Sequence, residues 1–203
     1  MNQIKFGNKA ITPSKVVCVG RNYVEHIYEL GNEIPSSMVL FNKPNSAITD
    51  KLAYFDEKCR FEGEICFLIE KGAIAGVGFG LDLTHADIQN RMKEKGLPWE
   101  RAKAFDGSAV LSGFVPFDPV NMEGISMKLY RNEALAQFAT YDLMIYKPDE
   151  IVREIGSFMT LEDGDIIMSG TPKGVNSYEQ EDRFNAQILL GEKVILECAF
   201  TAR

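Results

Sequence analysis

Short apolar runs bounded by glycine, proline and other turn residues dominate the chain, which is the pattern of strands rather than of long helices. Val16-Val-Cys-Val-Gly20 reads as a short buried strand, and further strands are predicted over residues 39–42, 65–69, 73–82, 110–115, 126–130, 135–140, 165–169, 187–190 and 193–199. The Asp163-Gly164 and Leu190-Gly-Glu-Lys193 segments fit strand entry and hairpin turns. Helix signals are fewer. Asn22 can cap a short helix with Glu25 three residues later and Gly31 at its end. Thr84 reads as the N-cap of a second helix, with Asp87 at its third position and Gly96 and Pro98 beyond it. Pro148 opens a third, over 148–158, with Asp149 and Glu150 in its first turn. Many short strands with few helices predict a β-rich α+β fold, not a doubly wound α/β sheet. Neither a repeat nor a linker breaks the chain, so residues 1–203 are expected to form a single domain.

Composition narrows the function classes. With 203 residues and 45% hydrophobic content the chain can bury an ordinary core. The net charge of −7 argues against a nucleic-acid or membrane surface. No apolar run has transmembrane length and the N-terminus lacks a signal-peptide layout, so a cytoplasmic protein is expected. Cys18, Cys59, Cys66 and Cys198 show no C-x-x-C spacing and are expected to be reduced. His26 and His85 are the only histidines, too few for a multi-histidine zinc site. Gly76-Val-Gly-Phe-Gly80 is not a dinucleotide fingerprint, because position 81 is Leu, and Gly170-Thr-Pro-Lys-Gly174 is too short for a P-loop.

The chemistry concentrates at Glu62, Glu64 and Asp82. In a strand, residues i and i+2 share a face, so Glu62 and Glu64 project side by side. Two bare carboxylates about 4–5 Å apart repel by roughly 4 kcal/mol at an effective dielectric of about 20. Water can screen them, one can stay protonated, or a cation can sit between them. An E-x-E pair is commonly only a solvated face, but the apolar run through Cys66 and Leu68 points to a strand buried on both sides. The third carboxylate favours the cation. An all-oxygen set suits a hard ion, Mg²⁺ first and Mn²⁺ or Ca²⁺ after it.

His26 and Glu29 are three apart on the first predicted helix, so they share a face and can touch. A carboxylate beside an imidazole fixes its tautomer and strengthens it as a proton acceptor. The simpler alternative is a partly exposed helical ion pair.

Several ordered blocks are similar to the fumarylacetoacetate hydrolase family, in its short acylpyruvate hydrolase and oxaloacetate decarboxylase branch. They are Val17-Cys-Val-Gly-Arg-Asn-Tyr23, His26-Ile-Tyr-Glu29, Leu40-Phe-Asn-Lys-Pro44, Glu62-Gly-Glu64, Asp82-Leu-Thr-His-Ala-Asp-Ile-Gln89, Gly96-Leu-Pro-Trp-Glu-Arg-Ala-Lys103 and Asp163-Gly-Asp-Ile-Ile-Met-Ser-Gly-Thr-Pro-Lys-Gly-Val175. The resemblance implies a mixed β-sandwich roll and a homodimer. It implies Glu62, Glu64 and Asp82 as ligands of Mg²⁺ or Mn²⁺, and His26 with Glu29 as a water-activating dyad on a lid helix. Gln89 and Lys103 match residues that reach substrate oxygens, Thr171 matches a loop that cradles the substrate carboxylate, and Arg21 falls in a matching block. The implied activity is cleavage of a C–C bond in a short acylpyruvate, a 2,4-dioxo acid. Oxaloacetate decarboxylation and keto–enol isomerisation are alternatives, and a non-catalytic dicarboxylate-binding protein is a remoter one. The chain departs from the resemblance at His85-Ala86-Asp87, where relatives carry an arginine, and over Ala104-Phe-Asp-Gly-Ser-Ala. An extra N-terminal domain of the kind longer relatives carry is not expected.

Overall fold

Both faces of the Gly63–Glu70 strand are apolar, which places it in the middle of the molecule. Ile65, Phe67 and Ile69 enter one core cluster and Cys66 and Leu68 another, each residue being 0% exposed. In the computed structural model, which describes residues 1–29, 31 and 33–203, this strand pairs antiparallel with Ala73–Asp82 and with Ile166–Met168. The sheet runs in the order Val39–Pro44, Lys15–Gly20, Ile166–Met168, Gly63–Glu70, Ala73–Asp82, Ala109–Leu111, Ile48–Thr49, with Val115–Pro116 also paired to Ala73–Asp82. It is mixed: Ile166–Met168 runs parallel to Lys15–Gly20, and Ala109–Leu111 parallel to Ile48–Thr49.

A four-stranded antiparallel sheet, in the order Ala134–Thr140, Ile125–Arg131, Arg183–Leu190, Lys193–Thr201, covers one face. Ile65, Phe67, Phe79 and Leu81 of the first sheet share a core with Met127, Leu129, Phe184 and Ile188 of the second. Full burial of such side chains stabilises the fold by about 1.5–3 kcal/mol each. On the other face Val16, Cys18, Cys66, Leu68 and Met168 pack beneath the N-terminal hairpin of Ile4–Phe6 and Lys9–Ile11. The helices are short: Val24–Glu29, Ala86–Glu94, Glu100–Lys103 and Pro148–Gly156. The expected β-rich α+β architecture is borne out.

The glycine-rich strand has a packing explanation. Gly76, Gly78 and Gly80 share one face. A Cβ at Gly76 would lie 2.8 Å from the Phe6 ring, at Gly78 2.9 Å from Phe114 and at Gly80 2.7 Å from Sγ of Cys66. Bare backbone lets these side chains pack directly on the sheet.

Several expectations need correction. Thr84 does not cap the second helix, which begins at Ala86 with His85 as N-cap; Thr84 belongs to a short strand and its hydroxyl donates to Glu62. The side chain of Asn22 is no helix cap, because it donates to the carbonyls of Tyr146 and Ser169 and accepts from Tyr146 N–H. The run 110–115 breaks into two strands, because Ser112 takes the Phe79 N–H on its hydroxyl. The four-residue helix Glu100–Lys103 carries no periodicity long enough to read from sequence. No helix among the described residues is long and apolar enough to cross a membrane.

Candidate active site

The register of two neighbouring strands brings the carboxylates together. Glu64 lies opposite Gly80 and Gly63 opposite Leu81, and Asp82 N–H donates to Glu62 O at 2.8 Å. Glu62, Glu64 and Asp82 therefore project from one face at one end of the strand pair. Each offers an oxygen within 4.8 Å of the others'. Glu62 stands just before the strand rather than within it, in the step between Cys59–Phe61 and Gly63–Glu70.

That step is clamped by Gln137, a residue that sequence reading passes over. Its Oε1 accepts from Gly63 N–H at 2.8 Å, and its Nε2 donates to Thr171 Oγ1 at 2.8 Å and to Pro172 O at 3.0 Å. Thr171 in turn donates its hydroxyl to Gly63 O at 3.0 Å. The glycine between the two glutamates is thus held at both its N–H and its C=O. Gly63 has no room for a side chain, since a Cβ would lie 2.8 Å from Leu129 and 2.9 Å from Gln137 Oε1.

Two lysines are built into the site. Lys103 Nζ spends its donors on Glu62 Oε2 at 2.9 Å, Asp82 Oδ2 at 2.7 Å and Thr84 Oγ1 at 2.5 Å. Lys43 is 0% exposed; it donates to Lys103 O, and its Nζ lies 2.8 Å from Asp82 Oδ1. Lys43 escaped assignment from the sequence. Its signal is a lysine sharing a strand face with Val39 and Phe41, where an apolar side chain is the rule.

The electrostatics follow from this inventory. Burial opposes the charge of Lys103, yet Asp82 and Glu62 hold its pKa above the usual lysine value. Burial also opposes the charge of Glu62, but Lys103, His26 and the bond from Thr84 outweigh it and keep that carboxyl below its ordinary value. Glu64 behaves oppositely. Burial, then the charges of Asp82 and Glu62, push it well above the usual range, against the bond its Oε2 accepts from Gly170 N–H at 2.6 Å.

Three carboxylates converge here with Lys43 and Lys103 among them, and Arg21 and Lys93 also line the pocket, so the site gathers charges of both signs. Oδ1 of Asp82 is buried and receives no hydrogen bond despite the nearby Lys43. A hard divalent cation fits this donor set: three carboxylates offer oxygens within 4.8 Å of one another, and among the described residues one of them, Glu64, has no ion-pair partner.

His26 lines the same pocket and Glu29 holds it from behind, with Nδ1 3.1 Å from Glu29 Oε2. The helix carrying both is fastened to the loop after Thr171. Gly174 N–H donates to Glu29 Oε1 at 3.0 Å, and Lys173 pairs with Glu25 at 3.1 Å. Of the candidate residues named from the sequence, all but Glu29 line the pocket, so Arg21, Gln89 and Thr171 also meet there. Arg21 does so at φ +57°, a left-handed conformation that non-glycine residues seldom adopt. Phe41, Lys93 and Trp99 complete the wall, and the free space is about 40 Å³, a volume for a small occupant. His85 faces elsewhere, 4.2 Å from the Phe105 ring centroid, with Nδ1 3.6 Å from Asp56. The cysteines are free, and burial pushes the Cys18 and Cys66 thiols well up, so neither is a ready nucleophile.

Residues 15–199 match the fumarylacetoacetate (FAA) hydrolase C-terminal family. The chain is similar to an oxaloacetate tautomerase of Escherichia coli (strain K12), 40% identical over 190 residues that cover 83% of this chain and 85% of the relative. It is 33% identical to a mitochondrial oxaloacetate decarboxylase of Dictyostelium discoideum over 182 residues, 81% of this chain and 84% of the relative. Among solved structures, the fumarylpyruvate hydrolase of Pseudomonas aeruginosa, in complex with Mn²⁺ and pyruvate, aligns with a TM-score of 0.87 at 29% identity. That alignment covers 99% of this chain and 95% of the other. The chain belongs to the fumarylacetoacetate hydrolase family.

Proposed function

We propose that this protein is a divalent-metal-dependent enzyme that interconverts the keto and enol forms of oxaloacetate or a closely similar 2-oxo dicarboxylic acid. The observation that carries the reading is a proton-transfer dyad, His26 with Glu29, set in the wall of a small pocket floored by three convergent carboxylates. Glu62, Glu64 and Asp82 would hold Mg²⁺ or Mn²⁺. When bound, that cation supplies Lewis-acid stabilisation of negative charge on the 2-oxo oxygen.

The protein's own groups do the rest. The Glu29 carboxylate keeps a proton on His26 Nδ1, which leaves the Nε2 lone pair as the base. Nε2 takes a proton from the carbon beside the 2-oxo group, the C–H pair moves into the new C=C bond as the C=O π pair moves onto oxygen, and that oxygen then takes the proton from the His26 imidazolium, giving the enol and restoring the neutral base. Glu29 stabilises the imidazolium formed between these transfers. Gln89 and Arg21 orient the substrate from the pocket wall, and the Val24–Glu29 helix excludes water while latched at Gly174. The identity to an oxaloacetate tautomerase supports this choice over the C–C cleavage expected first.

Hydrolysis of a short acylpyruvate is the second reading, favoured by the likeness to the fumarylpyruvate hydrolase. It uses the same dyad, with His26 drawing a proton from water rather than from carbon. Oxaloacetate decarboxylation needs no such base. The test is a panel of oxaloacetate and acetylpyruvate with Mg²⁺, with chelator, and with His26→Ala. Enol interconversion of oxaloacetate should fall about 10²–10⁴-fold in the variant, the usual contribution of a positioned base. Undiminished interconversion in His26→Ala, or full activity in chelator, would refute the proposal.

A further inference from the structure

The lysines of the pocket are not equivalent. Lys43 and Lys103 are spent on Asp82 and Glu62. Lys93 instead sits half-buried on the pocket wall, its Nζ 5.4 Å from the centroid of the Trp99 ring. Among the described residues no carboxylate pairs with it.

It lies one turn beyond Gln89 on the Ala86–Glu94 helix, so both side chains reach the pocket from one face. Burial and the neighbouring Arg21 pull its pKa below the usual lysine value, with the charge of Glu62 opposing them less strongly. A helix lysine whose only task is to cover Trp99 with its methylene stem would send its head to solvent. Lys93 lines the cavity.

We propose that Lys93, seated over Trp99, receives the substrate carboxylate remote from Glu62, Glu64 and Asp82, and thereby selects dicarboxylic over monocarboxylic acids. The inference rests on the 2-oxo acid reading above. Trp99 stacks at 5.9 Å against Phe41, whose ring also lies 5.2 Å from Lys103 Nζ. The aromatic pair thus lies between the two ammonium groups. A four-carbon diacid held at its 2-oxo end beside Lys103 would present its second carboxylate toward Lys93.

The experiment compares malate with lactate, unreactive ligands that differ by one carboxylate, on the Mg²⁺-loaded protein. Affinities come from calorimetry, and contact from quenching of Trp99, the single tryptophan of the chain. Wild type should bind malate more tightly than lactate. Lys93→Met should weaken malate about tenfold, the size of one charge-assisted hydrogen bond at a half-exposed site, and leave lactate within about twofold. Lys93→Arg should restore most of the preference. Unchanged malate affinity in Lys93→Met, or equal loss for both ligands, would overturn the assignment while leaving the 2-oxo acid reading intact. Failure of wild type to bind either ligand would overturn both.

Discussion

Glu29 accepts from the backbone N–H of Gly174 on both carboxylate oxygens, at 3.0 and 3.2 Å, while its Oε2 faces His26 Nδ1 at 3.1 Å. One side chain therefore meets the His26 ring and holds its helix against the Thr171–Gly174 loop; in the proposed reaction it would also set the tautomer of the base. Glu29→Gln keeps an oxygen for Gly174 but removes the charge that would stabilise the imidazolium of the proposed reaction. Turnover should fall about 10²-fold with KM nearly unchanged, measured by steady-state kinetics on oxaloacetate. A KM effect with full turnover would assign Glu29 to substrate binding instead.

Gly174 itself admits no side chain. Its φ is +102° and a Cβ would stand 2.2 Å from the carbonyl oxygen of Ala136. Gly174→Ala must move backbone rather than a flexible side-chain tip. It should destabilise the protein by at least about 1–3 kcal/mol, the range for a disfavoured backbone conformation, before the clash is added. Urea denaturation gives the loss, and the same variant should lose the latch on Glu29 and turn over more slowly.

Gln137 offers a test of how the carboxylates are held. Gln137→Leu keeps similar bulk against Leu129 but leaves the Gly63 N–H buried without an acceptor, which costs about 1–3 kcal/mol. Because that glycine joins Glu62 to Glu64, Mn²⁺ affinity should fall about 10–100-fold, as for other supports behind metal ligands. Calorimetric titration with Mn²⁺ checks the second effect and chemical denaturation the first. Stability lost with metal affinity intact would show Gln137 to be only a packing residue.

How far the site could be read from sequence depends on how local its geometry is. Glu62 and Glu64 share a face through the period of a strand, and His26 meets Glu29 through that of a helix, so both pairs follow from spacing. The meeting of Glu62 with Asp82 needs the register of two strands, which no spacing fixes. Gln137 reaches Gly63 across 74 positions, and Asn22 reaches Ser169 across 147. Such bonds arise only once the sheets have assembled. Thr84 misled for a related reason: a hydroxyl just before a helix satisfies a capping rule, but the half-buried Glu62 beside it is the stronger acceptor. The fold class was easier, because two-sided burial of the Gly63–Glu70 strand is written in its own apolar run.

Acid stability should draw on two aspartates outside the pocket as well as on Glu62 within it. Burial opposes ionisation of Asp165, yet bonds from Lys15, Ser14 and the N–H groups of Glu162 and Lys15 hold its carboxyl below the usual value. Asp182 is likewise held down, against burial, by Glu179 N–H, Asn132 and Arg131. For both groups the unfolded chain binds protons more readily than the folded one, so stability rises with pH through that window. Their contribution is fully present above the unfolded aspartate value of about 3.9 and is lost as pH falls through the lower folded values. Urea midpoints should therefore drop steeply below about pH 4. Asp165→Asn should lower stability near neutrality and flatten that acid limb, and an unchanged slope would remove Asp165 from the account.

Lys43 gives the sharpest link between metal and stability. Its ammonium is wholly buried against Asp82, and removing one partner of a buried pair typically costs about 3–5 kcal/mol, because the other charge is left uncompensated. Lys43→Met should accordingly melt well below wild type in the presence of chelator. A divalent cation at Glu62, Glu64 and Asp82 would supply the missing positive charge, so saturating Mg²⁺ should raise the melting temperature of the variant more than that of wild type. Differential scanning calorimetry at matched Mg²⁺ concentrations measures both shifts. Equal shifts in the two proteins would mean that the cation and Lys43 do not neutralise the same carboxylates.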